Sequence, residues 1–226
     1  MNYSCYLKDP IFKTIQIVSD KLNYPTYVVG GWVRDLLLKQ EKIKTDIDFV
    51  CVGSGIKLAE EVAINLGSKA SFKVFKNFGT AMIHYDGVDY EFVGARKESY
   101  RANSRKPIVE NGSLKDDQKR RDFTVNAMGI QLNTINYGLL VDPFNGQNDL
   151  EQKIIRTPLD PDITYSDDPL RMMRAVRFAT ELNFKIEEKS YKSIIKNASR
   201  LSIISKERIT EELNKIILSK KPSYGF

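Results

Sequence analysis

The apolar positions divide the chain into a first part of mixed period and a second part that reads as helix throughout. Ile11, Phe12, Ile15, Val18 and Leu22 recur at helical spacing and predict a helix over residues 10–22. Residues 27–29 form a short apolar run that stops at Gly30-Gly31, and residues 32–38 return to a helical pattern. A buried strand is predicted over 47–52, then a helix over 55–66 through Ile56, Ala59, Val62, Ala63 and Leu66. Strand candidates follow at 72–75, 80–85 and 88–93, the last two flanking Asp86-Gly87, a strong hairpin signal.

Residues 97–119 are polar without an apolar period and predict a long mobile loop, of a length usually kept for function. A short helix over 123–127 and strands over 128–132 and 139–141 complete a sheet domain. Beyond Pro158 the pattern predicts helices over 170–182, 187–195 and 206–218, with no strand between them. The boundary falls near residue 157, giving an α/β domain over 1–157 followed by an all-α segment over 158–226.

Composition narrows the class. At 226 residues, 42% hydrophobic and 28% charged, the chain reads as a soluble globular protein with one good core, or a domain with a helical appendage. No apolar run is long enough to span a bilayer, and residues 1–10 lack the apolar core of a signal peptide. Cys5 and Cys51 make no metal or redox spacing and point to a reducing, cytoplasmic setting. A single histidine, His84, argues against a histidine-rich zinc or copper site. His84, Cys51 and Trp32 read as packing residues. The net charge of +6 is a mild bias towards polyanions.

Asp46 and Asp48 carry the most chemistry. Strand side chains alternate in face, so these carboxylates project together. They are either a polar turn or ligands for a hard divalent cation. Glu91 or Asp89, on a neighbouring strand, offers a third oxygen ligand or belongs to a solvated edge. Gly30-Gly31 is a tight turn or a phosphate seat. Arg34, one turn into the helix those glycines open, favours the seat, and Asp35 either orients Arg34 or favours the helix start.

Further along, Lys119-Arg120-Arg121-Asp122 is a charged run entering an apolar segment, with Asp122 and Asn126 four apart and so on one helical face. Asp168 and Pro169 make a good helix start. Behind them Arg171, Arg174 and Arg177 recur every three residues and predict a basic ridge, costly in self-repulsion unless an anion lies against it.

Five blocks, in order, resemble the class II tRNA nucleotidyltransferases and bacterial-type poly(A) polymerases of the polymerase-β-like superfamily. They are GGxVRD to DxD (residues 30–48), RRDFTxNA (120–127), DPFNGxxDL (142–150), DDPLRMxRAxRFA (167–179) and ERIxxEL (207–213). Many family members carry Glu where this chain has Asp167, which leaves the adjacent Asp168–Arg171 pair intact. The resemblance implies a nucleotidyltransferase head of mixed sheet and helices with a helical neck, stopping before the body and tail domains that hold tRNA. It implies Asp46 and Asp48 as Mg²⁺ ligands, with Glu91 as a third catalytic carboxylate, in a two-metal reaction at the RNA 3′-hydroxyl. Gly30, Gly31 and Arg34 match phosphate-cradling positions, and Arg120, Arg121, Asp122 and Asn126 match nucleotide contacts. Asp168 and Arg171 match a protein template for the base edge, with Arg174 and Arg177 beside them.

The implied activity is addition of C and A to the tRNA 3′ end from CTP and ATP, with release of pyrophosphate. A poly(A) polymerase, a CC- or A-adding enzyme, and a non-catalytic nucleotide- or RNA-binding fragment are the alternatives. Residues 75–81 lack the basic stretch common in the poly(A) polymerases and favour tRNA.

Overall fold

The computed structural model describes residues 1–40, 46–101 and 104–226, with side chains except at residues 77, 98–101 and 104–108. The chain divides into two compact units, one of residues 1–97, 109–118 and 128–143, the other of residues 98–108, 119–127 and 144–226.

In the first unit, α1 (Pro10–Leu22) starts where Asp9 accepts the Ile11 amide and Pro10 supplies a preset φ. It ends at Asn23 in the left-handed region. The chain continues through β1 (Thr26–Val29), α2 (Gly31–Leu37), β2 (Asp46–Cys51), α3 (Gly55–Leu66), β3 (Ser71–Phe75), β4 (Thr80–Tyr85) and β5 (Val88–Gly94). Asp86 and Gly87 both take positive φ, 51° and 75°, as a tight primed hairpin turn requires.

Next come β6 (Arg96–Arg101), β7 (Ser104–Asn111), α4 (Leu114–Lys119), β8 (Gly129–Gln131) and β9 (Leu140–Val141). Seven strands form one mixed sheet in the order β3-β4-β5-β2-β1-β8-β9, in which β2 and β5 run parallel and the other pairs antiparallel.

Each face of that sheet has its own content. Ile47, Phe49, Tyr90, Phe92, Ala81 and Ile83 share one face by register, and all are buried. Phe49 stacks on Phe92 at 5.0 Å and meets Phe12 of α1 at 6.0 Å, and Phe12 in turn meets Trp32 at 5.4 Å. The other face is apolar around Tyr27, Val29 and Val50, which pack with Ala95 and Leu114, and polar where β2 and β5 begin.

The second unit holds α5 (Gly146–Gln152), β10 (Ile154–Ile155), α6 (Pro161–Asp167), α7 (Leu170–Leu182), β11 (Lys185–Ile186), α8 (Glu188–Asn197) and α9 (Lys206–Ile217). α7 packs on α9 and α6 on α8, around Tyr165, Met172, Ala175 and Ile216. α7 closes at Asn183, left-handed, whose amide reaches back to the carbonyls of Ala179 and Thr180.

Three expectations are corrected. Residues 97–119 carry β6, β7 and α4 rather than a loop. β6 and β7 pair as a separate two-stranded ribbon, and Arg96–Arg101 contains a single apolar residue, so no periodic signal marked it. A strand does lie among the helices: two-residue β11 pairs in parallel with β10, too short to leave a pattern. His84 is exposed, with Nδ1 2.6 Å from Asp89, and is not a packing residue. Cys51 and Trp32 are buried. Among the described residues no helix is long and apolar enough to cross a membrane.

Candidate functional site

In the first unit the alternation of β2 exposes Asp46 and Asp48 and buries Ile47 and Phe49. The parallel register sets Asp48 opposite Glu91 and Asp46 opposite Asp89, so four carboxylates share one face. Two of them are distinguished by their neighbours. Asp89 is engaged by His84, whereas Glu91 answers to the aspartates of β2. Desolvation raises the Glu91 carboxyl above its ordinary value, and the charges of Asp48 and Asp46 raise it further; a Thr80 hydrogen bond and Arg96 oppose them.

On the other side of β2, antiparallel register places Val29 against Asp48. The chain therefore leaves the sheet at Gly30 on the strand beside that carboxylate. Gly30 takes φ 73° and ψ −137°, open to glycine and strained for any other residue. A Cβ on Gly31 would lie 3.5 Å from Arg34 Nη2, so the guanidinium sits over the turn. Asp35 holds it there, with its Oδ1 at 2.8 Å from Arg34 Nη2 and 2.9 Å from Nε.

Asp46, Asp48 and Glu91 present hard oxygen donors on one sheet face, and their mutual repulsion is of the sign that a divalent cation relieves. Carboxylate oxygens are the donor type that suits a hard divalent cation. Among the described residues no group of three or more His, Cys, Asp or Glu side chains is gathered closely enough to hold a metal ion, so Asp46, Asp48 and Glu91 share a face without forming a three-ligand site.

The second unit gathers most of the remaining candidates. Asp122, buried, accepts from Arg174 Nε at 2.8 Å, from the Asn126 amide at 3.1 Å and from the Phe123 N–H at 2.8 Å. Burial alone would raise its carboxyl, but Arg174, Asn126 and Arg171 together hold it below the ordinary value. The Asp122–Asn126 contact forms through a 3₁₀ turn at Thr124–Asn126 rather than a full helix. Arg121 Nη1 donates to the Asn126 carbonyl at 3.2 Å. Arg171 Nη2 donates to the Arg120 carbonyl at 2.6 Å, and Asp168 Oδ1 accepts the Leu170 amide at 3.2 Å. Asp168 and Arg171 are thereby both anchored at the start of α7, each half-buried.

Arg177 departs from the expected ridge. Positions three apart fall about 60° short of a full helical turn, so Arg171 and Arg177 diverge by about 120°. Arg177 is buried, paired with Glu212 at 2.5 Å and Glu181 at 2.8 Å, and stacked 3.9 Å from the Phe178 ring centroid. Its charge is neutralised by acids rather than held for an external anion. Glu212 went unassigned in the sequence. The signal available was an acid on the buried stripe of α9, between Ile209 and Ile216.

Residues 26–156 match the model of the poly A polymerase head domain, and residues 183–226 that of the probable RNA and SrmB-binding site of polymerase A. The chain belongs to the poly(A) polymerase head-domain family. Its similar family members include an A-adding tRNA nucleotidyltransferase from Aquifex aeolicus, 42% identical across 85% of this chain and 23% of that protein. A CCA-adding enzyme from Geobacillus sp. is 36% identical across 93% of this chain and 50% of that protein.

Among solved structures, an apo CCA-adding enzyme aligns with TM-score 0.88 at 33% identity, covering all of this chain and 54% of the other. A tRNA nucleotidyltransferase complexed with a primer tRNA and an incoming ATP analog aligns with TM-score 0.80 at 34% identity, covering 93% and 58%. The chain thus spans about a quarter to a half of the curated relatives' length. This similarity, with the mixed sheet and helical second unit, agrees with a nucleotidyltransferase head followed by a helical neck.

Proposed function

We propose that the chain is the catalytic head, with part of the neck, of a template-independent nucleotidyltransferase. It would add C and A to the 3′ end of tRNA from CTP and ATP and release pyrophosphate. The observation that carries this reading is the register of β2, which sets Asp48 between Glu91 on one side and the exit to the Gly30 turn on the other. The head would run to residue 157 and the neck from 158.

Asp46 and Asp48 would hold Mg²⁺, with Glu91 as the third carboxylate. A metal held by these carboxylates would supply acidification of the attacking 3′-hydroxyl and charge relief at the pyrophosphate leaving group. Gly30 and Gly31 leave room for phosphate oxygens, and Arg34, fixed by Asp35, donates to them. In the second unit, Asp122 holds Arg174 in place, and Arg120, Arg121 and Asn126 contribute contacts to the nucleotide. Arg177, taken up by Glu212 and Glu181, is assigned to packing.

Base selection follows from hydrogen-bond polarity. The Asp168 carboxylate accepts from the exocyclic amine of C or A, while Arg171 donates to the adjacent ring nitrogen. G and U present a carbonyl oxygen to Asp168 and are repelled.

A-only addition is a second reading, favoured by the 42% and 39% identities to A-adding relatives. The test is incubation with Mg²⁺, labelled CTP or ATP, and tRNA either lacking CCA or ending in CC. C followed by A supports the first reading, and A on the CC-ended substrate alone supports the second. Long A tracts indicate a poly(A) polymerase. Nucleotide binding without incorporation contradicts both readings and leaves a binding fragment.

A further inference from the structure

The face that carries Asp46, Asp48 and Glu91 continues past the carboxylates into an open cleft of about 400 Å³, lined by Phe75, Phe78, Thr80, Met82, Glu91 and Arg96. Register explains the lining. Met82 on β4 stands opposite Glu91 on β5, and Phe75 on β3 stands opposite Thr80, so side chains of three adjacent strands share this face. Strands lie about 4.8 Å apart, which puts Met82 about 10 Å from the β2 carboxylates, two strands away.

Two features of the cleft are not accounted for by folding. Phe75 is 41% exposed and Phe78 71% exposed, whereas Tyr90 and Phe92 on the opposite face of β5 are buried. Phe78 stands in the 3₁₀ turn Lys76–Phe78, pinned where Arg96 Nη1 donates to its carbonyl at 3.4 Å. The hairpin is also one-sided in charge. From Val62 to Tyr85 the sequence has three lysines, Lys69, Lys73 and Lys76, and no acid. All three are exposed.

Exposed aromatic rings among lysines, next to a metal-binding carboxylate, match what a single-stranded nucleic acid needs. Bases stack on the rings, and cations follow the phosphates. A folded protein partner would need a wider apolar patch than two rings and a methionine. We propose that the Phe75–Phe78 hairpin is the platform for the 3′-terminal base of the acceptor RNA, seating its ribose hydroxyl towards Asp46 and Asp48. This rests on the nucleotidyl-transfer reading and adds to it the site of the primer end.

The test uses fluorescein-labelled tRNA acceptor minihelices with an intact or an abasic 3′-terminal nucleotide. Binding to the unaltered chain, Phe78→Ala, Phe75→Ala and Phe78→Trp is followed by anisotropy. One stacked base is worth about tenfold in affinity. The unaltered chain and Phe78→Trp are expected to prefer the intact RNA by about that factor. Phe78→Ala loses most of the preference, Phe75→Ala part of it, and binding of a fluorescent ATP stays unchanged. Equal binding of intact and abasic RNA by the unaltered chain, or no binding of either, overturns the platform. Failure of the transferase reading has a different signature: base-dependent RNA binding persists while the unaltered chain incorporates no nucleotide.

Discussion

Asp48 and Glu91 face one another across the parallel β2–β5 pairing, and after desolvation the Asp48 charge is the main cause of the raised Glu91 carboxyl. Repelling carboxylates brought together on one sheet face mark a candidate functional position.

Asp48→Asn should therefore lower the Glu91 pKa towards its ordinary value. A carboxyl whose folded pKa is raised contributes stability below its unfolded pKa, and that contribution is lost as pH rises through the folded value. The variant should melt higher than the unaltered chain at pH 7, with the difference gone at pH 4. NMR titration of labelled glutamate carboxyls with paired thermal melts reads both effects. An unmoved Glu91 titration would contradict the coupling.

Asp122 has the opposite sign. Its carboxyl is held below the ordinary value chiefly by Arg174 against the pull of burial, so its contribution is present at neutral pH and lost in acid below about pH 4. Asp122→Ala leaves Arg174 without that partner and should cost about 2–3 kcal/mol, the buried-pair figure reduced for the partial exposure of Arg174. Urea denaturation at pH 7 and pH 3 checks this, and a loss of equal size at both would refute it.

Arg177 and Arg171 should separate by assay. Arg177→Ala breaks a pair buried on both sides and should destabilise by about 3–4 kcal/mol, while nucleotide affinity of the folded fraction holds. Arg171→Ala should weaken nucleotide binding at least tenfold with a smaller stability change. Melts alongside titration with a fluorescent ATP decide the assignment. The reverse pattern would place Arg177 at the nucleotide.

Most of what the sequence revealed lay in elements with one buried face. The alternation in residues 46–51 placed Asp46 and Asp48 on one exposed face, and the helical period of residues 170–182 marked both ends of α7. What it hid lacked such a face or depended on distance in the chain. The ribbon of β6 and β7 has no apolar stripe. Regular spacing overstated the arginine ridge, because besides Glu181 on the same helix, the acids that claim Arg174 and Arg177 lie on other elements, 52 residues away at Asp122 and 35 away at Glu212. The residues alone left Glu91 and Asp89 open and the family resemblance implied Glu91; strand register and the His84 contact are what tell the two apart in the fold.

Exchanging the polarity of the template, with Asp168→Arg and Arg171→Asp in one chain, should move preference from C and A towards G and U. Competition among the four labelled nucleotides measures it. Unchanged selection would remove Asp168 and Arg171 from base reading.

The most direct measurement of the central claim is single-turnover incorporation of labelled CTP and ATP onto tRNA lacking CCA, by the unaltered chain and by Asp46→Asn and Asp48→Asn. Metal stabilisation of developing charge is worth several kcal/mol, so each variant should fall by on the order of a thousandfold, and EDTA should abolish the unaltered activity. Variants that transfer nucleotide at the unaltered rate, or transfer that persists in EDTA, would contradict a metal-dependent reaction at these carboxylates.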